Sequence, residues 1–423
     1  MSNDYLLVKQ SSPLNGQVNL NGAKNATLPI MAALILTNGK SELTNVPNSA
    51  DVIQMIKLLK DLGAETIFSP EKNYLEVDTS KINNFEVKPE IMNQMRASIL
   101  VMGPLLARFG KAKVAMPGGC LIGTRPINLH LKGFQDMGVE IKEDIPFFDA
   151  QLSNNFSNKE NKIVLEYPSV GATENIAMLA SLQNGKTTKI VNAALEPEVL
   201  DFLNVLKEMG AQIEIQPPAT IKIYGVNRLF SVKHKIIPDR LEAGALLLAT
   251  AITGGNINIE NAQAEHMDVF LEKLKEMGHE IKTENGITLN ATKNPKAVNF
   301  KTGPYPGFPT DLQAPMMTAQ CLANGKSIIE ETVFENRLMH AIELQKMGAQ
   351  IKTYGTKAII NGVEELYGTE VIATDIRASC ALVIAGLVAK GETKIMGVHH
   401  WQRGYDKLEE KLKILGAGVL IKN

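Results

Sequence analysis

The residue best suited to chemistry in this sequence is Cys120, because of its neighbours. It lies on the stretch Pro117-Gly118-Gly119-Cys120-Leu121-Ile122-Gly123-Thr124-Arg125-Pro126. Three glycines after a strand make an exposed, adaptable loop, and a guanidinium five residues on favours the thiolate, the reactive form of cysteine. From this segment alone an ordinary free thiol in a glycine loop is an equally open account. The other two cysteines differ. Cys321, in Ala319-Gln320-Cys321-Leu322, and Cys380, in Ala378-Ser379-Cys380-Ala381, fall inside apolar helical runs and read as small core residues.

A second group of chemically capable residues stands where strongly apolar helices begin. The starts read Lys24-Asn25-Ala26-Thr27, Arg96-Ala97-Ser98, Ser169-Val170-Gly171-Ala172-Thr173, Asp239-Arg240-Leu241-Glu242, Thr310-Asp311 and Thr374-Asp375-Ile376-Arg377. Helix starts offer unpaired N–H groups to anions. Cations such as Lys24, Arg96, Arg240 and Arg377 oppose the helix dipole there by about 0.3–1 kcal/mol each, so something anionic is expected to offset them. At any single position, plain capping by Ser169, Thr310 or Thr374 and arginines reaching solvent is the simpler account. Four cations at equivalent points of a repeat shift the balance. The expectation is a cleft between two domains, with positive walls and two carboxylates, Asp311 and Asp375, suited to a substrate with several phosphates or carboxylates.

The elements that must position these residues repeat with a period of about seventy residues. One mark is a helix closing on Leu62-Gly63, Met137-Gly138, Met209-Gly210, Met277-Gly278, Met347-Gly348 and Leu415-Gly416, with glycine as the left-handed cap. The other is a glycine opening a short β-run, at Gly39, Gly110, Gly185, Gly255, Gly325 and Gly391. Within each unit one helix carries a single apolar stripe, as over Asp51–Leu59 and Asp268–Leu274, and belongs outside. The other is apolar nearly all round, as over Leu28–Leu36, Ile99–Leu106, Ala243–Ile252 and Ala381–Val388, and belongs in the core. Each unit therefore reads strand, outer helix, strand, hairpin strand, buried helix. Residues 5–20 look like a hairpin without a unit of its own. Two α/β domains of three units each are expected: residues 22–234, and residues 1–21 together with 235–423.

The runs Gly22-Ala23-Lys24-Asn25, Pro117 to Pro126 with Ile127-Asn128-Leu129-His130, Tyr167-Pro168-Ser169-Val170-Gly171-Ala172-Thr173-Glu174-Asn175, Gly307-Phe308-Pro309-Thr310-Asp311, Phe334-Glu335-Asn336-Arg337, Thr374-Asp375-Ile376-Arg377-Ala378 and Arg403-Gly404-Tyr405 resemble the UDP-N-acetylglucosamine 1-carboxyvinyltransferases, the enolpyruvyl transferases of peptidoglycan synthesis. The resemblance covers essentially the whole chain. It implies two inverted α/β domains, each a threefold βαβαββ repeat. It also implies transfer of the enolpyruvyl group of phosphoenolpyruvate to the 3-hydroxyl of UDP-N-acetylglucosamine with release of phosphate, without a metal or organic cofactor.

By position, the resemblance makes Cys120 the general acid at the substrate methylene, able to form a covalent phosphoenolpyruvate adduct, and makes Asp311 the acceptor of the hydroxyl proton. Lys24, Arg125 and Arg403 match the cations around phosphoenolpyruvate, with Asn25, Arg96 and Arg377 nearby. The nucleotide sugar is implied to meet Asn25, Arg96, Arg125, Pro126, Ile127, Asn128, Leu129, Ser169, Val170, Gly171, Asp311 and Val333, and Asp375 to position Arg377. Two departures stand out. Asn128 replaces a usual Asp, and His399-His400-Trp401-Gln402 precedes Arg403 where an acid is common.

Composition narrows the alternatives. With 44 Lys and Arg against 45 Asp and Glu there is no overall field for nucleic acid. A DNA-encircling ring of six α/β units, the non-enzymatic rival, would need a basic helical face that the mixed-sign outer helices lack. The enzymatic rival, 5-enolpyruvylshikimate 3-phosphate synthase, works without a loop cysteine. Residues 1–5 lack a secretory pattern, no apolar run reaches spanning length, and three widely spaced cysteines fit a reducing compartment. A cytoplasmic monomer with no membrane insertion is expected.

Overall fold

The computed structural model describes residues 4–92, 95–116, 127–153 and 158–422. Six four-stranded sheets share one strand order and one pairing pattern. The unit around Arg96 serves as the example. Its short strand Glu86–Val87 leads through a 3₁₀ turn, Arg96–Val101, into the buried helix Met102–Phe109. There follow the strand Lys111–Ala115, the outer helix Asn128–Asp136 and the strands Val139–Asp144 and Phe147–Leu152. The first two strands pair in parallel and the rest antiparallel, with the last strand between the second and third. This is βαβαββ, the unit of the enolpyruvyl transferase fold.

The repeat marks have a backbone cause. Gly63, Gly138, Gly210, Gly278, Gly348 and Gly416 all take positive φ, between 85° and 107°, a conformation that costs glycine nothing. Five of the six β-opening glycines do the same. At Gly255 the left-handed residue is instead its neighbour Gly254, at φ 77°, which closes the helix Arg240–Thr253. The leading strand of each unit, implied by the resemblance, is missing from the residue pattern of most units. At two to five residues, as in Phe300–Lys301 or Glu160–Val164, these strands are too short for alternation to announce them.

One expectation is overturned. Tyr5–Lys9 and Asn15–Val18 form no hairpin. The first pairs antiparallel with both Glu392–Met396 and Gly418–Lys422, and the second pairs in parallel with Asn256–Ile259. Leu6 and Val8 are fully buried in one sheet's interior, while Val18 is buried under another. Each strand supplies the apolar face that an incomplete sheet lacks, which a local hairpin would leave uncovered.

Contacts divide the described residues into two compact units, those within 22–116 and 127–237 and those within 4–21 and 238–422, each with its own core and three of the sheets. In the first, the apolar helices Lys24–Ala33, Met102–Phe109 and Val170–Ser181 pack on one another; in the second, Arg240–Thr253, Gln313–Cys321 and Ile376–Val388 do the same. Their all-round burial explains why they read as apolar on every face. No helix among the described residues is long and apolar enough to cross a membrane.

Candidate active site

In the unit of residues 22–237, Lys24 opens the helix Lys24–Ala33 and Asn25 follows it. Gly22 allows the chain to enter here, since a Cβ on it would lie 1.8 Å from the Asn45 carbonyl oxygen. The helix has no side-chain cap, and an ammonium on its first residue opposes the dipole. Part of the expected anionic offset comes from the protein itself. Lys24 Nζ lies 3.3 Å from Asp51 Oδ2, with the two side chains 10% and 6% exposed. Asp51 occupies the first turn of the helix Ala50–Asp61, where a carboxylate is favourable.

Arg96 begins its 3₁₀ turn over a knot of polar contacts. Asn175 Nδ2 donates to the Ile99 carbonyl (3.0 Å) and to His130 Nδ1 (3.1 Å), while its Oδ1 accepts from the Gly103 amide (2.8 Å). An amide nitrogen can only donate, so Nδ1 of His130 accepts and the ring proton sits on Nε2. Burial, then the charge of Arg96, push His130 down to about 4, which leaves it neutral near pH 7. Ser169 caps the helix Val170–Ser181, its Oγ accepting from the Ala172 amide at 3.4 Å. Val170 and Gly171 form the first turn, and a Cβ on Gly171 would come within 3.2 Å of the His130 ring. Ile127 precedes the helix that Asn128 and Leu129 begin. Arg96, the Ile127–Leu129 segment and Ser169–Gly171 are thus gathered around His130 and Asn175.

In the other unit the centre is Asp311. Its Oδ1 accepts from Arg337 Nη2 at 2.7 Å and pairs with Arg377 Nε at 3.2 Å. Both guanidiniums are nearly buried, while the carboxylate is 28% exposed. Arg377 Nη1 also donates to the Tyr405 hydroxyl at 3.1 Å. Burial opposes the charge of Arg377, yet Asp311 and Tyr405 hold its pKa well above the usual range. Burial, then the adjoining Cys380 thiol, push the Tyr405 phenol well up, so it stays protonated.

Asp375, rather than Thr374, caps the helix Ile376–Val388: its Oδ1 accepts from the Arg377 and Ala378 amides at 2.8 and 3.1 Å. Asp375 therefore fixes the backbone of Arg377, whereas Asp311 and Tyr405 fix its side chain. Thr310 is likewise no cap; its hydroxyl donates to Glu331 Oε2 at 2.9 Å. Glu331 Oε1 accepts from the Val333 and Phe334 amides, at 2.8 and 3.1 Å, tying Val333 to the start of the Asp311 turn. Arg403 lies on the helix Val398–Gly404, whose buried Trp401 donates to Glu409 Oε2 at 2.7 Å. Cys120, Arg125 and Pro126 lie outside the described residues.

Comparison with known proteins bears on this arrangement. A family model described as EPSP synthase (3-phosphoshikimate 1-carboxyvinyltransferase) matches residues 8–412. The chain is 49% identical over 414 residues to UDP-N-acetylglucosamine 1-carboxyvinyltransferase 1 of Caldanaerobacter subterraneus subsp. tengcongensis, covering 98% of each chain. It is 45% identical over 418 residues to the UDP-N-acetylglucosamine 1-carboxyvinyltransferase of Geotalea uraniireducens, covering 99% of each. The chain belongs to the UDP-N-acetylglucosamine 1-carboxyvinyltransferase family. It is an enolpyruvyl transferase, hence an enzyme. The crystal structure of the enolpyruvyl transferase NikO from Streptomyces tendae has the same fold, with a TM-score of 0.89 at 22% identity over 99% of both chains.

Each unit holds supporting residues that sequence reasoning passed over: Asp51, His130 and Asn175 in the first, and Glu331, Arg337 and Tyr405 in the second. Four of them lie within the quoted family runs, but their roles depend on partners distant in sequence. A faint signal existed for Asn175, a polar residue set in a largely apolar helical stretch.

Proposed function

We propose that this chain transfers the enolpyruvyl group of phosphoenolpyruvate to the 3-hydroxyl of UDP-N-acetylglucosamine and releases phosphate, the first committed step of peptidoglycan synthesis, in the cytoplasm. The observation that carries the reading is the full-length likeness to relatives named for this activity, at 44–49% identity.

Two stages account for the chemistry. In the addition, the 3-hydroxyl oxygen bonds to C2 of phosphoenolpyruvate, Asp311 takes the hydroxyl proton, and Cys120 gives a proton to C3, which becomes a methyl group. In the elimination, the Cys120 thiolate left by the addition takes a proton back from C3, the C2–C3 double bond re-forms, and the bond from C2 to the phosphate oxygen breaks with its electron pair leaving on phosphate. Cys120 is also the residue for a covalent phosphoenolpyruvate adduct. Lys24, Arg125 and Arg403 bind the phosphate and carboxylate, assisted by Asn25, Arg96 and Arg377, and stabilise charge that develops during proton transfer. The nucleotide sugar is bound by Asn25, Arg96, Arg125 to Leu129, Ser169 to Gly171, Asp311 and Val333. The setting of Asp311 supports its part: two guanidiniums converge on Oδ1, so the carboxylate is fixed in orientation while remaining open to solvent.

The test is phosphate release with phosphoenolpyruvate and either UDP-N-acetylglucosamine or shikimate 3-phosphate. Release is expected with the nucleotide sugar alone. Release with shikimate 3-phosphate alone would overturn the reading in favour of the activity for which the matching family model is described.

A further inference from the structure

His234 sits on the short strand Lys233–Lys235, which pairs in parallel with Lys40–Thr44 and closes the sheets of the 22–237 unit. Its ring is engaged at both nitrogens by the helix Pro197–Glu208. Nε2 lies 3.0 Å from Asp201 Oδ1, and Nδ1 lies 3.0 Å from Glu208 Oε2. A neutral imidazole has one N–H, and its other nitrogen presents a lone pair. Two carboxylate contacts at this distance are therefore both hydrogen bonds only when the ring is imidazolium. The His234 and Asp201 side chains are 11% and 6% exposed, whereas Glu208 is at the rim, 46% exposed.

The other charged neighbours do not cancel this arrangement. On the paired strand Leu43 stands opposite His234, and the adjacent Glu42 is engaged by Lys233 at 2.7 Å. Lys235 stands opposite Thr44. Burial opposes the charge on His234, but Asp201 and then Glu208 outweigh it and hold the ring above its usual 6.5.

Asp201 connects the ring to the backbone around Lys24. Its Oδ2 accepts from the Ile237 amide at 3.3 Å, and the Ile237 carbonyl accepts from the Ala23 amide at 2.7 Å. Ala23 is the residue before Lys24 and Asn25. Between these links, the Ile236 amide donates to the Thr44 carbonyl and the Ile236 carbonyl accepts from Asn45 Nδ2, so the segment that meets the Lys24 helix entry at Ile237 is itself held to the end of the neighbouring strand.

We propose that His234 is a charge-dependent positioning residue: as imidazolium it fixes Asp201 and, through Ile237 and Ala23, the helix start that carries Lys24 and Asn25. Loss of its proton loosens residues 234–237 and weakens binding of an anionic substrate at Lys24. The second clause rests on the phosphoenolpyruvate reading; the first does not.

The test uses the full chain from pH 6 to 9. His234 is titrated by NMR, hydrogen exchange is followed at residues 22–26 and 233–237 with correction for intrinsic rates, and KM for phosphoenolpyruvate and kcat are measured alongside. His234 is expected to titrate above 6.5. As it does, protection of the Ala23 and Ile237 amides should fall at least tenfold, and KM should rise more than kcat falls. His234→Gln should lack protection and the pH step, whereas His234→Arg should keep protection without a step. Titration at or below 6.5, exchange that is flat through the titration, or a step retained in the Gln variant overturns the proposal. An exchange step in a chain that does not turn over phosphoenolpyruvate sinks the functional reading and leaves the positioning role standing. Turnover with a KM that ignores the exchange step overturns the link to Lys24.

Discussion

Asp311 shows how far the setting of one carboxylate is fixed by its neighbours. Arg337 and Arg377 both reach Oδ1 from different parts of the chain, and both are nearly buried. Arg337→Ala removes a charge-assisted hydrogen bond and leaves a cavity beneath a carboxylate that keeps Arg377. We expect a stability loss of about 2 kcal/mol, read as a lower urea midpoint, together with a fall in turnover. Arg337→Lys, which keeps the charge but not the planar fork, should fall between. Cys120→Ser is expected to lose most of the phosphate release while the circular dichroism spectrum is unchanged. Undiminished turnover in that variant would contradict the acid role. Lys24, Arg96, Asp311 and Arg377 were legible in the sequence because a charge at the edge of an apolar run is conspicuous. Asp51 and Arg337 were not, because each acts on a partner 26 or 27 residues away that no local pattern indicates.

At the scale of elements, the helix Met102–Phe109 and its neighbour Val170–Ser181 approach each other at Gly103. A Cβ there would lie 2.3 Å from the Asn175 carbonyl oxygen and 2.5 Å from its side-chain oxygen. Gly103→Ala must therefore separate the helices or turn Asn175 away from His130. A destabilisation of about 1–3 kcal/mol is expected, the usual range for an overpacked core, with a lower melting temperature as the readout. An unchanged melting temperature would mean that the helix pair has slack the packing does not suggest. Glycine gave the repeat away because the same backbone geometry recurs at each helix end. The leading strands carry no pattern of their own because two to five residues cannot display a period, and residues 5–20 resemble a hairpin only because two strands adjacent in sequence belong to different sheets.

For the molecule as a whole, buried titratable groups set an acid limit. Burial pushes His130, His279, His340 and His400 down to about 4, so the folded chain leaves them neutral where the unfolded chain protonates them. Their contribution is intact above the unfolded value of 6.5 and is lost as pH falls toward 4. Two carboxyls work in the opposite sense. Burial raises Glu242 to about 7 and Glu174 well above its usual range, so both favour the folded chain increasingly as pH falls below 7. The four histidines outnumber the two carboxyls, so stability is expected to fall between pH 6 and pH 5. Urea unfolding at the two pH values checks this, and equal midpoints would contradict it.

The pairing of Tyr5–Lys9 with Glu392–Met396 and Gly418–Lys422 also has a consequence for how the protein is made. The described residues between 22 and 237 hold three complete sheets and their own core, so this unit can fold while the ribosome is still adding later residues. Residues 5–9 leave the ribosome before all of it, yet the strands that receive them are separated from them by nearly the full length of the chain. Closing so long a loop is the slowest kind of contact to form. Throughout synthesis, Leu6 and Val8 thus remain an unpaired apolar strand, exposed to chaperones and to neighbouring nascent chains until the last repeat emerges to take them in.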